Sequence, residues 1–175
     1  MNIIPLKYFD LDNRMLDAFD RYQKTDRVWV LKSGVFNEER DSFEEDWTEE
    51  NKQTIIHHFR LVIENGGAVV AAVKEQKVYG FAVIEATTFG EKAMYRELSY
   101  IHVSRNLRGT GIGRLLFQKA GAVAKALGAE KLYIGAHPSV DTQKFYQKMG
   151  CVHAQEVNPI IFSREPRDIQ LEFPL

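Results

Sequence analysis

The segment Arg108–Gly113 (RGTGIG) constrains the fold of this chain more than any other stretch. It lies between an apolar, strand-like run at 98–103 and an amphipathic pattern at 112–127 that predicts a helix. Glycines let a backbone approach a phosphate closely, and the first turn of a helix offers unpaired N–H groups and a positive dipole end. The order of strand, glycine-rich turn and helix therefore predicts a site for a phosphorylated ligand.

Two familiar phosphate-binding loops do not fit this segment. The dinucleotide fingerprint G-x-G-x-x-G requires a third glycine where the chain has Arg114, and the Gly-Lys-Ser/Thr of a P-loop does not follow. The remaining pattern is R-x-x-G-x-G, formed by Arg108, Gly111 and Gly113. A helix with a glycine-rich start and no ligand would have the same pattern.

Size and composition narrow the class of protein. A chain of 175 residues is long enough for one domain with a sizeable core, and its net charge of −1 argues against nucleic acid or an anionic membrane as a partner. No apolar run reaches the length of a membrane span, and the first residues lack the features of a secretory signal. A single cysteine predicts no internal disulfide and fits a cytoplasmic protein. No metal-ligand spacing appears.

The hydrophobic periodicity predicts an α/β fold with a mixed sheet. Thr48 is expected to cap a helix that ends at the glycine pair 66–67. Predicted helices cover 13–23, about 49–65, 112–127 and 139–149. Predicted strands cover 27–32, 68–74, 78–88, 94–104 and 131–136, with one more just after Cys151 and another within 168–173.

This order resembles the GNAT family of acetyl-CoA-dependent N-acetyltransferases from about residue 60 to the end. Ser139 stands where the family often has asparagine, and Cys151 replaces the usual aromatic residue. Four segments carry the resemblance in the family's order: the strand LSYIHVS (98–104), the loop 108–113, the strand end Gly135-Ala136-His137, and FYQKMGC (145–151).

The resemblance implies a central sheet that splays where acetyl-CoA binds, flanked by helices, within one domain of residues 1–175. Residues 1–60 would form the variable acceptor-binding part, and residues 60–175 the acetyl-CoA-binding core. The implied reaction is direct attack by a primary amine of a small molecule or peptide on acetyl-CoA, in a ternary complex. The residues expected to bind acetyl-CoA are Ile101, His102, Val103, Arg108, Gly109, Thr110, Gly111, Ile112, Gly113, Arg114, Ser139 and Tyr146.

The same resemblance suggests the catalytic groups. A glutamate at the place of Glu97 is the base in the histone-type branch of the family, and the tyrosine that matches Tyr146 protonates the CoA sulfur. Strand alternation predicts that Glu97 shares a face with Ser99, Ile101 and Val103. Glu85 and His137 are alternative bases, and Tyr146 could instead only fill the core.

Other interpretations stay open at this point. The acidic segment 38–50 either attracts a cationic amine or forms a solvated face. The domain could bind or sense an acyl-CoA without catalysis, since a fold does not fix a function. Another acyl donor such as succinyl-CoA, and a homodimer, are not excluded by the sequence.

Overall fold

The chain folds into a seven-stranded sheet with helices on both faces and a separate two-stranded hairpin. The computed structural model describes residues 1–175. The strands are β1 (Asn2–Pro5), β2 (Gln23–Lys32), β3 (Val35–Glu45), β4 (Ala68–Lys74), β5 (Lys77–Phe89), β6 (Tyr95–Val103), β7 (Lys131–Ala136), β8 (Val152–His153) and β9 (Ile169–Pro174). The helices are α1 (Glu49–Glu64), α2 (Ile112–Ala126), α3 (Val140–Met149) and α4 (Pro159–Arg164), with 3-10 turns at Tyr8–Asp10 and Arg105–Leu107.

The sheet has the order β1-β4-β5-β6-β7-β9-β8. All neighbouring strands are antiparallel except β6 and β7, which run parallel. A parallel pair needs a crossover connection, and α2 supplies it. The mixed α/β sheet predicted from the sequence is therefore confirmed.

Apolar side chains on the two faces of the sheet form two separate cores. On β5, Ala82 and Ile84 join the core that also contains residues of α2, whereas Phe81 and Val83 join the core under α1. All four side chains are fully buried. Burying a side chain as large as that of Phe81 contributes about 1.5–3 kcal/mol. The two cores fix α1 and α2 on opposite faces.

Helix α1 begins where the sequence predicts. The Thr48 hydroxyl accepts a hydrogen bond from the backbone N–H of Asn51, and the Asn51 side chain accepts one in return from the N–H of Thr48. Glu49 and Glu50 lie in the first turn, where negative charge is favoured by the helix dipole. The predicted bounds of α2 and α3 are confirmed in the same way.

The predicted helix at 13–23 is wrong. The segment is a series of turns, although Met15, Leu16 and Phe19 are buried as expected. The carboxylates of Asp12 and Asp20 accept hydrogen bonds from backbone N–H groups two residues further on. Such local bonds compete with helix formation.

Half of the acidic segment is strand β3, which the sequence analysis does not predict. Strands β2 and β3 form a hairpin whose turn residues, Ser33 and Gly34, both have positive φ, at 51° and 79°. Two positive values are typical of the turn that matches the twist of hairpin strands. The sequence pattern also does not predict strand β1 or helix α4. The two strands predicted after Cys151 are confirmed as β8 and β9.

Candidate active site

The parallel strands β6 and β7 separate after a short paired stretch. Their register joins only Tyr95 with Lys131, Arg96 with Leu132, and Glu97 with Tyr133. From Leu98 to Val103, the edge of β6 that faces β7 has no strand partner. Backbone polar groups are normally paired, so this open edge offers N–H and C=O groups to a ligand. The splay that the family resemblance predicts is thus present.

The glycine loop forms an open anion site beside this gap. Gly109 and Gly111 have φ values of 77° and 92°, and no protein atom lies within 4 Å of the position that a Cβ would take on either residue. Gly111 is the N-cap of α2 and provides no side-chain cap, so the first N–H groups of the helix stay open. A Cβ on Gly113 would lie 3.3 Å from Phe145, so glycine lets α2 and α3 pack closely here.

Arg108 braces the loop from within. Its Nε donates to the backbone oxygen of Val103, and its NH2 group donates to the backbone oxygen of Arg21, both at 3.0 Å. Thr110 donates through its hydroxyl to the oxygen of Leu107. These bonds tie the loop to the end of β6. Arg108 thus holds the loop in place, and its predicted contact with acetyl-CoA stays a prediction. Arg114 is exposed at the helix start.

A bulge in β6 overturns the predicted alternation of its side chains. Val83 pairs with Tyr100 and Ile84 with Leu98, so Ser99 is an extra residue on β6. As a result, Ile101 and Val103 pack toward α2, whereas Tyr100 packs toward α1. Glu97 and Ser99 face the α1 side, in a cavity that they share with Tyr100. The expected common face of Glu97, Ser99, Ile101 and Val103 is wrong.

Of the remaining predicted site residues, His102 and Ser139 have clear structural positions. The His102 ring packs on the α1 side, with its centroid 5.2 Å from Trp47 and 5.6 Å from Phe81. Burial and the nearby Arg21 keep its pKa low, so the ring is neutral at neutral pH. Only the backbone of His102 lies at the open edge of β6. Ser139 caps α3, because its hydroxyl accepts a hydrogen bond from the N–H of Thr142.

Tyr146 is buried on the α2 side of the sheet, with 5% of its surface exposed. Its ring lies 5.2 Å from Phe145 and 6.2 Å from Phe117. Burial raises the pKa of its phenol, and the charge of Asp168 raises it further. The hydroxyl is therefore protonated at neutral pH, and the same rise in pKa makes it a weaker acid.

A cavity of about 370 Å³ opens on the α1 side of the gap. His58 forms a 2.8 Å hydrogen bond with Glu85, and Ser99 donates to the same carboxylate oxygen. Burial alone would raise the pKa of Glu85, but these two bonds outweigh it and lower the pKa. The bond to Glu85 raises the pKa of His58. The cavity is lined by the polar residues His58, Glu85, Thr87, Glu97, Ser99, Tyr100, Asn158 and Arg164 and by the apolar residues Phe89, Ile160 and Ile161.

Glu97, the predicted base, is held by an arginine in this cavity. Arg164 of α4 donates from NH2 to both carboxylate oxygens, at 2.8 and 2.7 Å. Burial raises the pKa of Glu97, and the charge of Arg164 opposes this rise. The pKa of Glu97 therefore stays above the ordinary value of a glutamate. Arg164 nevertheless occupies both carboxylate oxygens, so an amine must displace it to reach either of them.

The end of the hairpin brings a second polar group to the same side. Glu45 lies between Arg21 and His137, with each nitrogen–oxygen distance at 3.7 Å, too long for a hydrogen bond. The Nδ1 of His137 accepts a hydrogen bond from the N–H of Ser139, so in the neutral ring the proton is on Nε2, the nitrogen that faces Glu45. In this tautomer neither ring nitrogen is free to accept a proton, so the neutral His137 is not placed to act as a base.

The sequence does not predict three charged residues near the gap: Arg21, Glu45 and Asp168. Arg21 precedes β2, Glu45 ends β3, and Asp168 precedes β9, so only tertiary packing brings them together. The many acidic residues of segment 38–50 indicate a possible site for a cationic amine, but they do not distinguish Glu45 from its acidic neighbours. Nothing in the local pattern marks Asp168.

An open, glycine-rich helix start beside a gap in a sheet, with a buried tyrosine next to it, is the arrangement that the resemblance to acyl-CoA-dependent transferases implies. Residues 32–151 match the model of the acetyltransferase (GNAT) family, and the chain belongs to this family. It is therefore an acetyltransferase, and acetyl-CoA is its co-substrate. The family, fold and co-substrate predicted from the sequence are confirmed. No curated protein matches the chain significantly.

Solved structures with the same fold span nearly the whole chain. A Bacillus anthracis strain Ames protein described as a streptothricin acetyltransferase, in complex with acetyl coenzyme A, has 19% identity and a TM-score of 0.70, covering 99% of this chain and 97% of that one. Nourseothricin acetyltransferase has 16% identity and a TM-score of 0.68, with the same coverage. IAA acetyltransferase from Bacillus cereus ATCC 14579 has 20% identity and a TM-score of 0.56, covering 99% of both chains. None of the helices in this structure is long and apolar enough to cross a membrane.

Proposed function

We propose that the protein transfers an acetyl group from acetyl-CoA to a primary amine of a small molecule or peptide, by direct attack in a ternary complex. The observation that carries this proposal is the gap between β6 and β7. On its α2 side lie the glycine loop and Tyr146, and on its α1 side lies a cavity rich in carboxylates. A thioester in the gap is accessible from both sides, so donor and acceptor can be bound together.

The donor site follows from the open backbone groups. The pyrophosphate binds the N–H groups of residues 109–114 at the start of α2. The pantetheine arm follows the unpaired edge of β6, where Ile101, His102 and Val103 offer backbone N–H and C=O groups. An N–H of this edge also stabilises the negative charge that develops on the thioester oxygen. Ser139 holds the start of α3 against this site.

Tyr146 acts as the general acid in this proposal. When the C–S bond breaks, the sulfur leaves as a thiolate, and a phenol that stays protonated through burial can give it a proton. The alternative is that Tyr146 only packs against Phe117 and Phe145. Removal of its hydroxyl separates the two roles.

The acceptor site lies on the α1 side. Glu85 and Glu97 line this cavity, and Glu45 lies beside His137 at the end of β7, so a cationic acceptor is favoured over an anionic one. Glu97 remains the base predicted from the family resemblance, although its ion pair with Arg164 weighs against that role. The division into an acceptor part at 1–60 and a cofactor core at 60–175, a cytoplasmic location and a homodimer also remain predictions.

The test measures CoA release from acetyl-CoA with a thiol reagent, followed by mass spectrometry of the products. The panel of acceptors contains 1,5-diaminopentane, Nα-acetyl-lysine amide and a streptothricin, with 1,5-pentanediol as the control without an amine. Streptothricin is included because a protein of the same fold is described as its acetyltransferase. We expect CoA release with at least one amine, and a product that carries one acetyl group on nitrogen.

CoA binding without turnover of any amine would favour the alternative of a non-catalytic acyl-CoA-binding domain. Cys151 is the only cysteine, and it is buried, so its thiol adds little to the signal of the reagent. Equal binding and use of succinyl-CoA would contradict the assignment of acetyl-CoA as the specific donor.

A further inference from the structure

Asp168 lies across the gap from the bulge of β6. The register that pairs Glu97 with Tyr133 makes Gly135 level with Ser99, where the two strands have already separated. The Oδ2 atom of Asp168 is 3.7 Å from the position that a Cβ on Gly135 would take. Ile161, which lines the cavity on the α1 side, is 3.6 Å from the same position. The carboxylate therefore stands at the border of the cavity and the gap.

This carboxylate is half-buried, and no protein group donates a hydrogen bond to it. The Gln170 amide donates to the backbone oxygen of Asp168 instead of its side chain, and Arg167 is paired with Asp41. Buried polar groups in proteins are almost always hydrogen-bonded. The oxygens of the half-buried Asp168 still reach solvent, so the fold does not require a partner for them, and a ligand can bind this free carboxylate.

Other polar side chains also lack a hydrogen-bond partner within the protein. The Oε2 atom of Glu45 is buried without a hydrogen-bond partner, and so is the Nε of Arg21, a residue with only 8% of its surface exposed. The guanidinium of Arg21 points toward Glu45, at 3.7 Å from Oε1. Thr25 is 3% exposed, and its hydroxyl also lacks a partner. Several polar atoms at one end of the gap are therefore unsatisfied by the protein.

We propose that Asp168 is the group that binds the ammonium of the acceptor and takes its proton, with Glu45 as the second carboxylate of the site. This inference rests on the proposed function and names the catalytic base that the sequence does not reveal. The acceptor class is a cationic primary amine on a chain slender enough to reach between these two carboxylates and the thioester.

The reaction balances as follows. The ammonium gives one proton to the Asp168 carboxylate, and the amine nitrogen forms a C–N bond with the thioester carbon. The C–S bond then breaks, the sulfur takes a proton from Tyr146, and the second proton lost from nitrogen restores Tyr146. The proton on Asp168 passes to solvent. The net products are an acetamide, free CoA thiol and one proton.

The protonation of Asp168 fits this role. Burial raises the pKa of Asp168 to about 6, with further contributions from the charges of Glu165 and Glu45, while Arg167 opposes the rise. The other titratable groups near it are Tyr146, on α3, and His137, at the end of β7. The carboxylate is ionised above this pKa and protonated below it, so the base is lost as the pH falls through about 6.

The experiment compares pH profiles of kcat/KM for the wild type, Asp168→Asn and Glu165→Gln, with the amine that the wild type acetylates best. For the wild type we expect an acidic limb near pH 6. Asp168→Asn should lower kcat/KM by roughly 10²–10⁴-fold and remove this limb. Glu165→Gln removes a charge that raises the pKa of Asp168, so the limb should move to lower pH while the rate at pH 8 stays unchanged.

The outcomes distinguish the two proposals. A wild type that acetylates no amine overturns the proposed function and this inference with it. An active wild type, together with an Asp168→Asn variant of equal rate and pH profile, overturns this inference alone. Calorimetry with CoA and thermal unfolding show whether Asp168→Asn is folded. If it is not, an unmoved limb in Glu165→Gln overturns the assignment by itself.

Discussion

Replacement of Gly111 by aspartate should abolish tight CoA binding and leave the fold in place. Gly111 has a φ of 92°, and no protein atom lies within 4 Å of the position that its Cβ would take. The cost to folding is therefore the left-handed conformation, about 1–2 kcal/mol. A carboxylate at the start of a helix offsets about 0.3–1 kcal/mol of this cost through the helix dipole.

The effect on CoA is larger, because the new carboxylate would stand where the pyrophosphate binds. Two like charges about 4 Å apart repel by about 4 kcal/mol at an effective dielectric constant near 20. Since every 1.4 kcal/mol is a factor of ten in affinity, the full repulsion raises Kd about 1,000-fold, and half of it about 30-fold. We expect a rise within this range, with a fall in stability of no more than about 2 kcal/mol.

Isothermal titration calorimetry with CoA measures the affinity, and thermal unfolding measures the stability. Gly111→Asn is the matched control, because asparagine has the same shape, tolerates positive φ and adds no charge. Gly128→Asp places the same charge at the opposite end of α2, at a glycine with a φ of 88° and equally open surroundings. Affinity for CoA equal to the wild type in Gly111→Asp would refute the assignment of the phosphate site.

Four further variants test other parts of the structure. Tyr146→Phe should lower kcat by roughly 10–10⁴-fold with little change in the KM for acetyl-CoA, and unchanged steady-state rates would leave Tyr146 as a core residue. Glu97→Gln and Arg164→Gln break the same ion pair, so kcat/KM should fall to a similar extent in both, and the acidic limb should persist in both. Disappearance of the limb in Glu97→Gln alone would make Glu97 the base. Thr48→Ala removes the cap of α1 and should cost about 1 kcal/mol, or a fall in Tm of about 2–4 °C, whereas an unchanged Tm would mean that the cap adds nothing.

The parts of the fold that were predicted well are those with strong local signals. The glycine loop before α2, the Thr48 cap of α1 and the serine cap of α3 are each defined by residues close in sequence. The long apolar strands β4 to β7 were found for the same reason. At 13–23 the local signals compete. The spacing of apolar residues predicts a helix, but turns form in which aspartate side chains accept hydrogen bonds from backbone N–H groups.

The hairpin was missed for a related reason. Alternation of polar and apolar residues is weak in β3, because none of its eleven residues is buried and charged side chains lie on both faces. The only local sign was the Ser33-Gly34 dipeptide, which favours a tight turn between strands. The hairpin is held to the rest of the protein by the N–H of Trp29, which donates to the oxygen of Pro138, a contact that sequence spacing does not reveal.

In the candidate site, local sequence predicts the cofactor side better than the acceptor side. On the cofactor side, the open edge of β6 and the glycine loop form one continuous stretch, so this motif could be recognised from the sequence. The cavity on the acceptor side is built from α1, β5, β6 and α4, and the bulge at Ser99 changes which side chains of β6 face it. A period of two along β6 therefore predicted the wrong set, and Asp168 gained its position only through the packing of β9 beside β7.

The place of β9 in the sheet determines the order in which the active site can be completed during synthesis. β9 lies between β7 and β8, although both of these strands precede it in the chain. While Ile169–Pro174 is still inside the ribosome, β7 has one open side and β8 has no partner. The glycine loop is synthesised well before β9, whereas Asp168 takes its place only once β9 has paired with β7. The strands that frame the gap are therefore completed after the loop that begins α2.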